Sequence, residues 1–302
     1  MIIAFGSGVK LDMSKRKCSW SIFDVLNTVL MVILCVVMLY PFVYVFALSF
    51  SSVDATLRGK VWLYPIEPTF AAYRSIWNEP NFLLSYGNTV FYAVIGTIIT
   101  LSVTLLSAYP LTKQYFVGKR FLMRFYSVTM FFGGGIVPTY ILVYELGLVD
   151  TRLVIILLAA LNVWNVIVTR TFISGIPESL CESATIDGAG EWRILLGIIV
   201  PLSKPIVATL SLYSIVDQWN SFYTPMIYLN QPELQPVSLV LRRILVSSQF
   251  SDNMMSPDVA NQVSELNLKG ASIIITILPI ICIYPFIQKY FVKGMLVGSI
   301  KG

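Results

Sequence analysis

Long continuous apolar runs are the feature that most constrains the fold of this 302-residue chain. A run of roughly 17 to 25 apolar residues can cross the hydrocarbon core of a bilayer as a helix. Six runs qualify, with approximate limits Val25 to Phe46, Val90 to Tyr109, Phe125 to Tyr144, Leu153 to Thr169, Pro205 to Leu229 and Ala271 to Ile287. Because the runs are continuous rather than alternating, they predict an all-α polytopic membrane protein with six transmembrane helices.

Composition excludes several function classes. Charged residues make up only 12% of the chain and hydrophobic residues 56%, whereas a soluble domain carries about 25% charged residues. A soluble enzyme, a disordered protein and a nucleic-acid-binding domain are therefore all disfavoured. The sequence contains no histidine, which removes histidine-based acid–base catalysis and histidine metal ligands. Its four cysteines lie far apart and predict no disulfide framework.

The distribution of basic residues predicts the orientation. If both termini lie on one side of six spans, that side holds 14 of the 21 Lys and Arg residues, and the positive-inside rule then places both termini in the cytoplasm. We predict a cytoplasmic N-terminal segment at 1–20, a transmembrane domain at 21–292 and a cytoplasmic tail at 293–302. Within this domain, 170–204 faces inward and 230–270 faces outward. The first run is too long for a cleaved signal peptide.

The inward segment is long for a simple connection. Pro177 and Glu178 are typical of a helix start, and the helix is predicted to continue to Ile186. Asp187 and Gly188 predict a turn in which glycine takes a positive φ. A second, amphipathic helix should follow to about Val200, with one apolar face formed by Trp192, Leu195, Ile198 and Ile199. Length and composition alone leave a docking element and an idle connector equally open.

Specific residues in this segment carry a family resemblance. Glu182, Ser183 and Ala184, followed by Gly188, Ile198 and Pro201, fit the spacing of the "EAA" loop of ABC importer permeases. Ser183 replaces the first alanine of the pattern, and Val200 replaces a leucine. Nearly the whole chain resembles the sugar-importer permeases typified by the maltose transporter. The stretches 131–148 and 289–302 resemble the subgroup assigned to complex oligosaccharides and polysaccharides.

The resemblance implies a type I ABC importer transmembrane domain, in the inner membrane of a bacterium, that works by alternating access. It implies a second homologous permease, two ATPase subunits and an extracytoplasmic solute-binding protein as partners, with lipid around the spans and no nucleic acid. The chain would be a transport subunit rather than an enzyme, without a cofactor of its own, and ATP and magnesium would bind the ATPases. The implied ATPase-coupling residues are Glu178, Glu182, Ser183, Ala184, Asp187, Gly188, Ala189 and Pro201.

Polar residues within the spans are candidates for the substrate pathway. Asp217, Gln218, Trp219 and Asn220 fall in the fifth run, and Asn165 and Tyr140 fall in the fourth and third. A carboxylate at membrane depth is costly and normally faces a cavity or a partner; contact between helices remains an equal alternative. In related permeases the loop after the fifth span reaches into the binding protein. That role would fall on Phe250, Ser251, Asp252, Asn253 and Met254, or the loop is a plain docking surface.

Two other transport functions stay open at this stage. One is an ABC importer permease for another solute class. The other is a secondary transporter, although the chain lacks the repeated halves typical of many such proteins. A membrane-embedded hydrolase is disfavoured because the commonest catalytic base, histidine, is missing.

Overall fold

The computed structural model describes residues 22–251 and 264–299, with side chains at 22–246 and 264–282. These residues form helices and no strand. The helices are α1 Ile22–Phe50, α2 Val53–Leu57, α3 Ala71–Trp77, α4 Phe82–Ala108, α5 Lys119–Phe131, α6 Ile136–Glu145, α7 Arg152–Ala159, α8 Val163–Ile173, α9 Glu178–Ile186, α10 Glu191–Ile194, α11 Val200–Leu202, α12 Lys204–Asn220, α13 Tyr223–Tyr228, α14 Val237–Ser251 and α15 Glu265–Ser299. A 3₁₀ turn at Pro110–Thr112 follows α4, and a π turn at Leu195–Ile199 joins α10 to α11.

Three described helices are long and apolar enough to cross a membrane: Ile22–Phe50, Phe82–Thr112 and Glu265–Cys282. Three further pairs qualify only when joined across a bend. They are α5 with α6, bent by 116°, α7 with α8, bent by 48°, and the α10–α11 segment with α12, bent by 79°. Counting each pair as one span gives up to six spans within the described residues, in agreement with the predicted number.

The third span is broken at Gly133, Gly134 and Gly135. The chain leaves the helix at Phe132 and re-enters it after Gly135, whose φ is +80°. The break in the fourth span was not predicted. There the chain unwinds at Leu161 and Asn162, and the Asn162 Oδ1 caps α8 by accepting a hydrogen bond from the Asn165 N–H at 3.3 Å.

The fifth span was predicted as one helix to Leu229, and this prediction was wrong. The helix ends at Asn220 because Ser221 is extended, and it restarts at Tyr223. Pro225 has no N–H with which to bond the carbonyl of Ser221, so an unbroken helix would leave that carbonyl unpaired. The Ser238 hydroxyl instead donates to it at 2.9 Å.

Helix α4 is the central element, and it packs closely along α12. A Cβ added at Gly96 of α4 would lie 3.1 Å from the Gln218 side chain of α12. On another face of the fold, α1 and α15 meet at Gly270, where an added Cβ would lie 3.2 Å from the Val45 carbonyl oxygen. Most of α1 is exposed and apolar, as expected for a helix that faces lipid or another subunit.

Contacts at the helix termini define two opposite sides of the molecule, which we call its two ends. At one end, the Asn88 amide donates to the Glu233 carbonyl at 2.7 Å, and Arg152 donates to the Asn88 Oδ1 at 3.0 Å. The Asp150 carboxylate at this end accepts a hydrogen bond from the Gln231 N–H at 3.1 Å. Tyr109, at the far end of α4, lies beside α10. The chain order therefore puts the 113–118 loop and the α9–α11 segment together, opposite the 146–151 and 229–236 loops.

Candidate coupling segment and translocation cavity

Helix α9 has the predicted limits, and a glycine turn ends it. The Gly188 N–H donates to the Thr185 carbonyl at 3.0 Å, and the Ala189 N–H donates to the Ala184 carbonyl at 2.9 Å. Gly188 has a φ of +78°, a conformation that side chains with a Cβ adopt only at a cost. The turn therefore fixes the direction in which the chain leaves α9.

One side of α9 is packed and the other is free. Cys181 and Ala184 contact an apolar cluster formed by Ala108, Tyr109, Leu111, Val166, Ile173, Ile194, Leu195 and Ile199. Glu178, Glu182, Ser183 and Asp187 are exposed, and Ile186 is 86% exposed. Gly188 and Pro201 are also exposed, while Ala189 is half-buried. The predicted coupling residues thus present a mixed polar and apolar surface on a helix anchored from behind.

The segment after the turn is helical, as predicted, but it is not a regular α-helix. Ile194, Leu195 and Ile199 are buried, whereas Trp192 is 68% exposed and does not pack in the same core. Pro201 cannot donate to the Gly197 carbonyl, and Leu195–Ile199 adopt a π turn. The wider turn changes which side chains share a face.

Four residues, which we call the Glu191 cluster, tie α10 to the end of α4. The Tyr109 and Tyr115 hydroxyls each donate to the Glu191 carboxylate at 2.5 Å. The Lys113 ammonium lies 3.6 Å from the same carboxylate and 4.9 Å from the centre of the Tyr109 ring. The hydrogen bond to Glu191, with burial, raises the pKa of Tyr115 to about 12, so this hydroxyl remains a donor at physiological pH.

A second contact attaches α8 to the 3₁₀ turn at Pro110–Thr112, which follows α4. Arg170, at the end of α8, donates from its Nε to the Leu111 carbonyl at 3.2 Å. Arg170 precedes α9 in the chain and Glu191 follows it. The segment that carries α9 is therefore attached to the end of α4 both before and after this helix.

Four of the predicted pathway residues line one cavity of about 510 Å³, which we call the inner cavity. They are Asp217, Gln218, Asn220 and Asn165. The other lining residues are Thr100, Ala159, Asn162, Trp164, Tyr213, Ser214 and Val216. Carboxylate, amide, hydroxyl and aromatic groups in one cavity can hydrogen-bond and stack a sugar, which needs both kinds of contact.

Two predicted pathway residues lie elsewhere. Trp219 is only 4% exposed; its Nε1 donates to the Thr276 carbonyl of α15 at 2.9 Å, and it does not line the inner cavity. Tyr140 stacks on Tyr228, with ring centroids 5.8 Å apart. Sequence reasoning missed Tyr213, although it lies four residues before Asp217 and so shares a helix face with it.

The predicted contacts to a binding protein fall at the limit of the described chain. Phe250 and Ser251 are the last two residues of α14. Asp252, Asn253 and Met254 lie outside the described residues, as do the segments 1–21 and 300–302.

Comparison with known proteins identifies the family. Residues 101–297 match the family model described as "Binding-protein-dependent transport system inner membrane component". The chain belongs to this family. It is therefore the membrane permease subunit of an ABC transporter, a transport component rather than an enzyme. Membership also means that the permease resides in the inner membrane and works with a partner permease, an ATPase and a solute-binding protein.

Individual relatives resemble the permease over most of its length. Protein LplC of Bacillus subtilis (strain 168) is 37% identical over 93% of the chain and 95% of its own length. The polygalacturonan/rhamnogalacturonan transport system permease protein YtcP of the same organism is also 37% identical, over 93% of the chain and 99% of its own. A crystal structure of a bacterial ABC transporter involved in the import of the acidic polysaccharide alginate contains a similar chain. That chain aligns with a TM-score of 0.81 and 34% identity, covering 89% of the permease and 96% of the similar chain.

Proposed function

We propose that this permease forms half of the translocation pathway of an ATP-driven importer for oligosaccharides or polysaccharide fragments. The names of its relatives support the substrate class, since they include transporters of polygalacturonan, of arabinooligosaccharides and of melibiose, raffinose and stachyose. The inner cavity supports it independently, because Asp217, Gln218, Asn220 and Asn165 converge there. Alternating access would expose this cavity first to the outer and then to the inner side.

The observation that carries the proposal is the geometry of α9. Helix α9 is exposed, with Glu182 on its free side, and it is followed by Gly188, which has a left-handed backbone conformation. Arg170 before α9 and Glu191 after it both contact the end of α4. We infer that an ATPase subunit binds the exposed side of α9, with Glu178, Glu182 and Asp187 as charged contacts. Closure of the ATPases around ATP and magnesium would displace α9. The Glu191 cluster would pass that displacement to α4, which packs on the α12 residue Gln218.

The complete transporter would contain this permease, a second and different permease, two ATPase subunits and a solute-binding protein. The excess of basic residues in the loops on the α9 side supports a cytoplasmic position for that side and for both termini. The outer loop that includes Phe250 to Met254 would contact the binding protein. Since a switch from 1:99 to 99:1 needs about 5.5 kcal/mol, contact with the ATPase must be firm.

The proposal is tested with the complete transporter in liposomes, supplied with ATP inside, its binding protein outside, and neutral and acidic oligosaccharides. We expect ATP-dependent accumulation of an oligosaccharide. Glu182→Lys should abolish accumulation and weaken binding of the ATPase subunit. Glu145→Lys is the matched control, because Glu145 is equally an exposed carboxylate but lies at the opposite end, and it should leave ATPase binding intact. Accumulation of amino acids or phosphate without sugar would contradict the substrate class.

A further inference from the structure

A second cavity, of about 500 Å³, lies between the outer end of α12, helix α14 and the first turns of α15. We call it the outer cavity. It shares Asn220 with the inner cavity, so the two cavities adjoin at that residue. Its polar and aromatic lining consists of Asn220, Phe222, Ser238, Arg242, Ser272 and Thr276, and the rest of the lining is aliphatic: Leu241, Leu245, Ile273 and Ile277. Among the residues whose side chains the structure describes, no aspartate or glutamate lines it, whereas Asp217 lines the inner cavity.

Arg242 is the one charged group among the described residues of this lining, and most of its N–H donors have no partner among them. It is exposed and stacks 5.3 Å above the Phe222 ring, and its Nη1 contacts the Met226 sulfur at 2.8 Å. A thioether is only a weak acceptor. Within 22–246 and 264–282, no carboxylate forms an ion pair with Arg242. Five N–H donors in a planar fork, held by stacking on an aromatic ring, match the geometry of a carboxylate.

One residue in the wall of the same cavity, Ser272, has a buried hydroxyl without a hydrogen-bond partner in the described part of the chain. Ser272 is only 4% exposed, and its Oγ has no hydrogen-bond partner among the described residues. Buried polar groups are nearly always satisfied. The Oγ is itself shielded from solvent, so a sugar hydroxyl in the outer cavity would reach it only after the Ser272 side chain rotates toward the cavity.

We propose that the outer cavity binds an acidic sugar, a hexuronate unit of an oligosaccharide, and that Arg242 binds its carboxylate. The inference rests on the proposed import of oligosaccharides and specifies their charge. The relatives' names do not decide it, since they include both acidic and neutral sugars. The charged residues of the two cavities favour an acidic sugar. Its carboxylate would bind at Arg242, while Asp217 would accept hydrogen bonds from hydroxyls further along the path.

The test measures direct binding to the purified complex of permeases and ATPases in nanodiscs, without the binding protein. The probes are trigalacturonate and its fully methyl-esterified form, which has the same rings and length but no charge. Ligand-observed NMR gives the two dissociation constants. We expect the charged form to bind at least about tenfold more tightly, because a hydrogen bond to a charged group is worth a factor of that order.

Variants identify the group responsible. Arg242→Gln should remove the preference for the charged form, and Arg242→Lys should keep part of it. Arg243→Gln is the matched control, since Arg243 adjoins Arg242 but donates to Gln235 and does not line the outer cavity; it should keep the preference. Equal binding of the two probes by the wild-type complex would overturn the inference, and so would an equal loss in the Arg243 variant. ATP-driven import of neutral sugars with no such preference would leave the proposed function standing and remove only this inference.

Discussion

Replacing Gly188 by alanine should weaken docking of the ATPase through backbone strain alone. The left-handed conformation costs a residue with a Cβ about 1–2 kcal/mol, and Gly188 has a φ of +78°. The added methyl would meet nothing, because no atom lies within 4 Å of the position it would take. A cost of that size lowers the population of the native turn roughly 5- to 30-fold relative to alternatives. The affinity of the ATPase subunit should fall by up to that factor.

The matched control is Gly190→Ala, two residues further along. Gly190 is exposed like Gly188, an added Cβ would again meet nothing within 4 Å, but its φ is an ordinary −73°. Binding of the ATPase subunit to permease complexes in nanodiscs, and ATP-driven uptake in liposomes, provide the two readouts. Gly188→Ala should impair both, and Gly190→Ala neither. Equal behaviour of the two variants would refute the role assigned to the turn.

Three further predictions concern the attachment, the cavity and the packing. Glu191→Gln should leave ATPase binding near wild type but raise the number of ATP molecules hydrolysed per sugar imported, because the contact to α4 loses its charge. An unchanged ratio would show that the Glu191 cluster does not take part in coupling. Gly96→Ala should displace the Gln218 side chain, 3.1 Å from the new methyl, and change the KM for uptake, whereas Gly87→Ala on the same helix, with open space around it, should not. Asn267→Ala should lower the thermal unfolding temperature, since the buried amide donates to the Leu48 and Ser51 carbonyls at 2.8 and 2.9 Å. Leaving such acceptors unpaired costs roughly 1–3 kcal/mol. The control is Ser102→Ala, at an exposed position on α4.

Local signals predicted the coupling segment well. The limits of α9 and the positive φ of Gly188 depend on neighbouring residues: a proline before the helix and an aspartate–glycine pair after it. The break at Gly133 to Gly135 has an equally local cause, three consecutive glycines. Each of these features is determined by residues close to it in the sequence, so a single sequence contains enough information to predict its position.

Hydropathy did not predict the breaks of the fourth and fifth spans. A break of two residues, at Leu161 and Asn162 or at Ser221 and Phe222, barely changes the average hydropathy of a run. Pro225 was the available signal for the fifth span, since its missing N–H interrupts the helix at the carbonyl four residues earlier.

Long-range contacts decided which polar residues line the inner cavity. Trp219 and Gln218 are adjacent in the sequence and both buried, yet Trp219 bonds the carbonyl of Thr276 on α15, while Gln218 packs at Gly96 and lines the cavity. The Glu191 cluster likewise brings Tyr109 and Tyr115 to Glu191, although they lie 82 and 76 positions before it in the sequence. Neither arrangement follows from a local pattern, because each depends on how distant helices pack.

Disulfide crosslinking between α9 and the ATPase subunit is the most direct test of the central claim. A cysteine at exposed Ser183, in a permease whose natural cysteines are replaced by serine, should crosslink to a cysteine scanned across the ATPase surface, with a yield that changes when ATP binds. A cysteine at Glu145, at the opposite end of the molecule, should give no crosslink to the ATPase. If Ser183→Cys never crosslinks, or reacts with an impermeant thiol reagent added from outside the cell, then α9 is not where the ATPase binds.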